Sequence, residues 1–153
     1  MVALTRVQVT AKQSDVSGSG SALRKNSVEV TRFASRLRRM ADQRVDPTVP
    51  PSGDGCVECL AGGGWWFHLR RCARCGHIGC CDSSPSQHAS AHAKASGHTV
   101  IRSFEPGEDW FYDYKTDGGM EGPALAPPEH HPLEQPTPGP AGKVPRDWQR
   151  HLH

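Results

Sequence analysis

Eight side chains that can bind a metal ion lie within 43 consecutive residues in the middle of the chain. In chain order these are Cys56, Cys59, Cys72, Cys75, Cys80, His88, His92 and His98. Two thiolates of a Cys-x-x-Cys pair can bind one ion, and a tetrahedral structural zinc takes four sulfur or nitrogen ligands. Five Cys and three His therefore predict two zinc ions per chain, each held by four protein ligands.

Other uses of the six Cys are three disulfides or a redox-active Cys-x-x-Cys pair. The N-terminus lacks the apolar run of a signal peptide, and no stretch approaches the roughly 20 apolar residues of a membrane span. We therefore expect a cytoplasmic protein, whose thiols stay reduced. Neither alternative explains three His at this spacing, so the sequence favours zinc.

Short elements must position these ligands. A strand is predicted over residues 65–71 and another over 99–104, because both runs are rich in aromatic or branched apolar residues. Residues 84–97 predict a helix, since a Ser-Pro-Ser-Gln run is typical of a helix start and a glycine of its end. That helix carries His88 and His92 four positions apart on one face. They could share one zinc or reach different ones, and their spacing leaves both open.

The rest of the chain predicts little packed structure, with 35% hydrophobic residues, 16 Gly and 13 Pro. We predict a disordered extension over 1–27, a basic amphipathic helix over 28–45, a linker over 46–54 and a disordered Pro- and Gly-rich tail over 115–153. The folded domain is predicted over 55–114. A domain of about 60 residues commonly needs a metal or disulfides for stability.

One arrangement of residues is specific enough to suggest a family. It comprises Cys56-x-x-Cys59, Trp66, Cys72-x-x-Cys75-Gly76-His77-Ile78-Gly79-Cys80, His88, His92, Gly97-His98, Trp110 and Tyr112. This arrangement resembles the UBP-type zinc finger of ubiquitin-specific proteases and of one histone deacetylase, and looks most like its compact bacterial members. The resemblance implies a small zinc-stabilised α+β domain, with short antiparallel strands and one helix around two interleaved zinc sites, between flexible termini.

The resemblance also implies how the ligands divide. One zinc is expected on Cys56, Cys59, Cys80 and His88, and the other on Cys72, Cys75, His92 and His98. Cys81 could replace its neighbour Cys80, but the family's spacing favours Cys80. His77 is expected to orient the thiolates without binding metal.

A possible partner site follows from the same resemblance. In ubiquitin-reading members, an arginine two residues after the Cys matching Cys80 binds the free carboxylate of the partner's C-terminus. Asp82 stands at that position here and would repel a carboxylate. Trp66, Trp110 and Tyr112 are expected to line a groove with Asp82. We expect a zinc module that binds a peptide or protein C-terminal tail without that arginine. A monomer is expected, and no enzymatic role, because the sequence offers neither an open metal site nor a nucleophile–base pair.

Two further expectations concern basic residues. Arg70, Arg71 and Arg74 are the nearest cations that could replace the missing arginine. The basic segment from Arg36 to Arg44 could instead contact phosphates, which makes a nucleic-acid-binding zinc protein the alternative function.

Overall fold

The computed structural model describes residues 44–153 and, before them, Arg32 alone. The extension predicted over 1–27 and nearly all of the basic helix predicted over 28–45 lie outside the described residues. Within the described part of the chain, no helix is both long enough and apolar enough to cross a membrane.

A five-stranded antiparallel sheet forms the centre of the fold. Its strands are β1 (Leu69–Cys72), β2 (Ile78–Cys80), β3 (Val100–Ser103), β4 (Phe111–Asp113) and β5 (Gly118–Met120). Their order across the sheet is β2, β1, β3, β4, β5. In β1, Arg70 is opposite Gly79 on one side and Ser103 on the other. The short antiparallel strands confirm the predicted fold class.

A short helix carries the first Cys pair, and the sequence patterns above did not predict it. This helix, α1 (Val57–Gly62), begins directly after Cys56 and contains Cys59. Gly63 ends it with a φ of 70°, a conformation that glycine adopts without steric cost. Because residues three apart on a helix lie on one side, the two thiols face the same way.

The main helix, α2 (His88–Ser96), begins three residues later than predicted, since Pro85 was expected as its first residue, and it ends at Gly97, as predicted. Ser84 does not cap it, because its hydroxyl accepts a hydrogen bond from the backbone N–H of Phe67 at 2.9 Å. Gln87 precedes the helix in a left-handed conformation with a φ of 49°. The apparent capping sequence thus forms a turn that joins the helix to the chain before β1.

The packing of α2 on the sheet depends on a glycine in β2. A Cβ atom at Gly79 would lie 2.6 Å from the backbone nitrogen of Ala89, closer than real Cβ contacts allow. Glycine therefore lets the first turn of α2 lie directly against β2. This contact holds the start of the helix close to the end of β2.

Two apolar cores stabilise the described residues. The first contains Cys56, Cys59, Trp66, Leu69, Ile78, Cys80 and Phe104. The second contains Val45, Ala73, Val100, Phe111 and Leu125, with Met120 packed against it. The predicted strand over 65–71 is shorter than expected: its first part forms only one isolated bridge, between Trp66 and Gly139, before β1 begins.

Residues 46–54, predicted as a linker, make specific contacts with the chain between β1 and β2. The backbone N–H of Ser52 donates to the carbonyl of Gly76 at 2.8 Å. The buried guanidinium of Arg71 donates to the carbonyl of Val49. Arg71 therefore holds backbone segments together and is not available to a partner.

Residues 115–153 differ from the disordered tail that the sequence predicted. Gly139 exchanges two backbone hydrogen bonds with Trp66, of 2.7 and 3.0 Å. His131 is 5% exposed, and its Nε2 lies 2.8 Å from the carboxylate of Glu105. The segment ends in a 3₁₀ helix, Trp148–His151.

The tail is ordered because the part of the chain that carries the zinc ligands leaves buried polar groups without enough hydrogen-bond partners of its own. A buried carboxylate such as Glu105 is costly unless it is hydrogen-bonded, and His131 supplies one of its partners. A Pro-rich chain lacks a periodic apolar pattern, yet it can cover such groups through isolated contacts.

Candidate metal centres and an aromatic groove

The first group of candidate ligands, cluster 1, lies between α1, β2 and α2. It consists of Cys56, Cys59, Cys80 and His88. The Nδ1 atom of His88 lies 3.3 Å from the sulfur of Cys56 and 3.4 Å from each of the sulfurs of Cys59 and Cys80. The three thiols therefore surround one imidazole nitrogen at nearly equal distances.

The second group, cluster 2, lies at the other end of β1. It consists of Cys72, Cys75, His92 and His98. The Nε2 atom of His92 lies 3.4 Å from the sulfur of Cys75. Because β1 ends at Cys72 and α2 contains His92, the sheet and the helix both contribute to this cluster.

Both clusters fit a zinc ion. Bonds of about 2.3 Å to sulfur and 2.0–2.1 Å to nitrogen separate the corners of a tetrahedron by roughly 3.3–3.8 Å. The sulfur–nitrogen distances in both clusters agree with this range, and the candidate ligand atoms of each cluster all lie within 4.8 Å of one another. Bound zinc would link the elements around each cluster. The two ligand sets are those that the family resemblance implied, so that prediction is confirmed.

The interleaving of the two sites depends on α2. His88 at its start belongs to cluster 1, whereas His92 one turn later belongs to cluster 2. The two His therefore reach different ions, which settles the alternative that their spacing left open. α2 thus connects the two sites.

The surroundings of cluster 1 favour the thiolate form of one of its cysteines, Cys80. Hydrogen bonds from Cys56 and Cys59, with a smaller contribution from the backbone N–H of His88, lower the pKa of Cys80 to about 4. The pKa of Cys59 is raised, chiefly by its hydrogen bonds with Cys56 and Cys80. Because zinc binds the thiolate form, Cys80 is prepared for metal binding.

Cluster 2 has a different electrostatic character. Burial raises the pKa of Cys72 to about 11. Burial, followed by the neighbouring His77 and His98, lowers the pKa of His92. His92 is therefore kept neutral, the form in which imidazole binds zinc.

Cys81, a possible ligand from the sequence, and His77, expected to orient the thiolates, belong to neither cluster. Cys81 is buried with its sulfur 3.3 Å from the hydroxyl of Ser84, and it belongs to neither cluster of the described residues. His77 contacts an imidazole ligand instead of the expected thiolates. Its ring stacks on His92 at 4.1 Å, and its Nε2 lies 2.7 Å from a carboxylate oxygen of Glu58.

An aromatic groove of about 230 Å³ lies next to cluster 1. Its lining residues are Arg70, Cys81, Asp82, Ser83, Ile101, Trp110, Tyr112 and Tyr114. Three of the four expected partner-binding residues, Asp82, Trp110 and Tyr112, thus lie together. The fourth, Trp66, does not line this groove: its ring is 2% exposed and packs in the first apolar core with the cluster 1 thiols.

The groove also contains a cation. The guanidinium of Arg70 lies over the ring of Trp110 at 4.7 Å and donates to the carbonyl of Leu69 at 2.9 Å. Of the three arginines considered from the sequence, this one reaches the groove, since Arg71 is buried in backbone contacts. Arg74 is exposed and lies outside it. Sequence reasoning did not single out Arg70, because its position depends on the pairing of β1 with β3.

The groove tyrosines remain uncharged at neutral pH. Burial, with Asp82 as the next cause, raises the pKa of Tyr114. A hydrogen bond to Asp117 is the main cause that raises the pKa of Tyr112. Both phenols are therefore hydrogen-bond donors with intact aromatic faces.

Comparisons with known proteins agree with this geometry. Residues 56–125 match the family described as "Zn-finger in ubiquitin-hydrolases and other protein". A Rhodopseudomonas palustris protein with a solution NMR structure is 40% identical, with a TM-score of 0.50 over 66% of this chain and 92% of that one. A search of curated proteins found no match. Since the matched residues include every ligand of both clusters, the chain belongs to the UBP-type zinc-finger family.

Proposed function

We propose that the chain is a protein-interaction module whose aromatic groove binds a short peptide segment of a partner, such as its C-terminal tail. The two zinc sites hold the elements that form this groove and take no part in chemistry. Each zinc has four candidate protein ligands, as in structural sites, whereas catalytic zinc keeps a position for water or substrate.

The groove itself is the observation that carries this proposal. Trp110 is 41% exposed, although aromatic rings of this size are usually well buried. Exposed aromatic residues beside a concave surface are typical anchors for peptides. Asp82 stands where the ubiquitin-reading members of the family have an arginine, so the groove is expected to bind without that carboxylate contact.

A peptide library with free C-termini, presented to the zinc-loaded chain, tests the proposal. We expect enriched sequences whose binding weakens by about tenfold or more in Trp110→Ala, because truncation of an aromatic anchor commonly has this effect. The matched control is Leu133→Ala, which removes an 85% exposed apolar side chain outside the groove. Both variants should keep two zinc ions by native mass spectrometry.

Two outcomes would contradict the proposal. One is a library without any enriched sequence. The other is enrichment that Trp110→Ala leaves unchanged, which would place the site elsewhere. The nucleic-acid alternative depends on the basic segment from Arg36 to Arg44, of which the structure describes Arg44 alone, and Arg44 pairs with Asp113. We propose a monomeric, cytoplasmic module.

A further inference from the structure

The charges in and beside the aromatic groove are mostly negative. Arg70 and Asp82 line it with opposite charges. Glu108 accepts a hydrogen bond from the indole N–H of a groove residue at 3.0 Å, and Asp117 accepts one from a groove phenol. Among these described side chains, one positive and three negative charges leave a net charge of −2. A partner with positive charge is therefore favoured electrostatically.

The positive charge in the groove is already held by the protein. Arg70 donates to the hydroxyl of Ser103 at 3.3 Å as well as to the carbonyl of Leu69. Its guanidinium lies over one face of Trp110. Three contacts therefore hold Arg70 in place, and its charge offsets one of the three negative charges.

The groove also contains an acid, Asp82, that is in no ion pair among the described residues. Asp82 is exposed and lines the groove together with Tyr112 and Tyr114. The rings of Tyr112 and Tyr114 meet edge to face with centroids 5.4 Å apart. A carboxylate next to two electron-rich rings is a suitable environment for a cationic side chain.

We propose that the groove selects a basic peptide, with an arginine or lysine side chain placed between Asp82 and the rings of Tyr112 and Tyr114. This inference rests on the proposed peptide-binding function and specifies its ligand. The carboxylate would pair with the cation, and the aromatic faces would add cation–π attraction. The groove would thus prefer a positively charged ligand, whereas the arginine of the ubiquitin-reading family members binds a negatively charged carboxylate.

Three blocked hexapeptides test this inference with the full zinc-loaded chain. Each is N-acetylated and C-amidated and carries two arginines, two citrullines or two glutamates among glycines. Citrulline keeps the shape of arginine without its charge. By isothermal titration calorimetry, we expect the arginine peptide to bind about tenfold or more tightly than the citrulline peptide, because a charged hydrogen bond and a cation–π contact are lost.

Two variants locate the effect. Asp82→Asn should reduce the preference for arginine over citrulline to about twofold, whereas Glu134→Gln, an exposed carboxylate outside the groove, should leave it unchanged. Both variants should retain two zinc ions and the circular dichroism of the parent chain, which shows that they fold. Higher salt should weaken the arginine peptide more than the citrulline peptide.

The possible results separate this inference from the proposed function. Equal binding of arginine and citrulline peptides, tighter binding of the glutamate peptide, or no binding of any of the three would overturn the basic-peptide inference. Peptides enriched in the library would still support the proposed function. A preference for arginine over citrulline that survives in Asp82→Asn would also overturn the inference. So would a dimer, seen by sedimentation, in which a second copy of the chain occupies the groove.

Discussion

The two zinc clusters have the same number of ligands but very different surroundings. In cluster 1 the three thiols are at most 2% exposed and form part of the first apolar core. In cluster 2, Cys75 is exposed and both His are partly exposed. Cluster 1 is thus mostly inside the domain, with only His88 partly exposed, whereas in cluster 2 only Cys72 is buried.

The contact with residues 115–153 adds to this difference. Trp66 packs with the thiols of cluster 1 and exchanges two backbone hydrogen bonds with Gly139. The tail therefore covers the core around cluster 1. Cluster 2 instead has the Glu58–His77 pair beside it, at a half-buried position. We infer that cluster 1 determines the stability of the fold and that cluster 2 is the site from which metal leaves more easily.

The largest expected effect compares one thiol from each cluster. Cys59→Ser should abolish cooperative thermal unfolding, because it removes a metal ligand from an interior core. We expect the free energy of unfolding to fall by on the order of 5 kcal/mol or more. Cys75→Ser should keep a cooperative transition and at least one zinc ion, since water can replace an exposed ligand. Circular dichroism and native mass spectrometry measure both effects.

The control for this comparison is Cys81→Ser, a buried thiol outside both clusters. It should retain two zinc ions and a cooperative transition. Equal loss of structure in Cys59→Ser and Cys75→Ser would contradict the difference between the clusters.

The next effect concerns metal removal from the parent chain. A chelator with a colorimetric response should release zinc in two phases of equal amplitude, because a site at the surface opens more often than one inside the core. The fast phase should coincide with alkylation of Cys75, and the slow phase with loss of the sheet. A single phase for both ions, or alkylation of Cys75 only in the slow phase, would show that the sites are equivalent.

The ligands could be predicted because their chemistry and spacing are local. The Cys-x-x-Cys pairs and the two His of α2 have few alternative uses, and each pair is recognised from residues three or four positions apart, although the clusters join residues up to 32 positions apart. The start of α2 was predicted wrongly although Ser84 and Gln87 match a capping pattern. The hydroxyl of Ser84 is used by Phe67, far from it in sequence, and no local pattern reports that contact.

The tail and the groove show the same limit over longer distances. Trp66 was expected in the groove from the family resemblance, yet it bonds to Gly139, more than 70 residues away, and packs in the first apolar core. Arg70 reaches the groove only because β1 pairs with β3, which places it opposite Ser103. Such contacts depend on strand pairing and on tail docking, which residue type and spacing do not encode.

A smaller effect should follow from the carboxylate that holds the tail. Although burial raises the pKa of Glu105, the imidazole of His68 at 3.7 Å and hydrogen bonds from His131 and the backbone of Leu69 lower it to about 2. The folded pKa is below the ordinary value of 4.5, so this contribution is present above pH 4.5 and is lost as the pH falls through about 2. At pH 7 the shift corresponds to about 3 kcal/mol.

Glu105→Gln should therefore lower the free energy of unfolding in urea at pH 7 by up to this amount. Hydrogen exchange should increase at the amides of Trp66 and Gly139, and the slow phase of zinc release should become faster while the fast phase is unchanged. The exposed carboxylate in Glu134→Gln provides the control, with no effect on either phase. Faster release from cluster 2 alone would mean that the tail does not protect cluster 1.

The smallest effect should come from the pair beside cluster 2. His77→Ala removes a ring stacked on His92 and bonded to Glu58, whose side chain is 41% exposed. Because such partly exposed pairs contribute little, we expect a loss of less than about 1 kcal/mol in unfolding free energy. Zinc should nevertheless leave cluster 2 about tenfold faster, since groups that orient a ligand affect metal affinity more than stability. If the slow phase accelerated instead, His77 would act through Glu58 on Cys56, whose sulfur lies 3.6 Å from that carboxylate, and the two clusters would be coupled through α1.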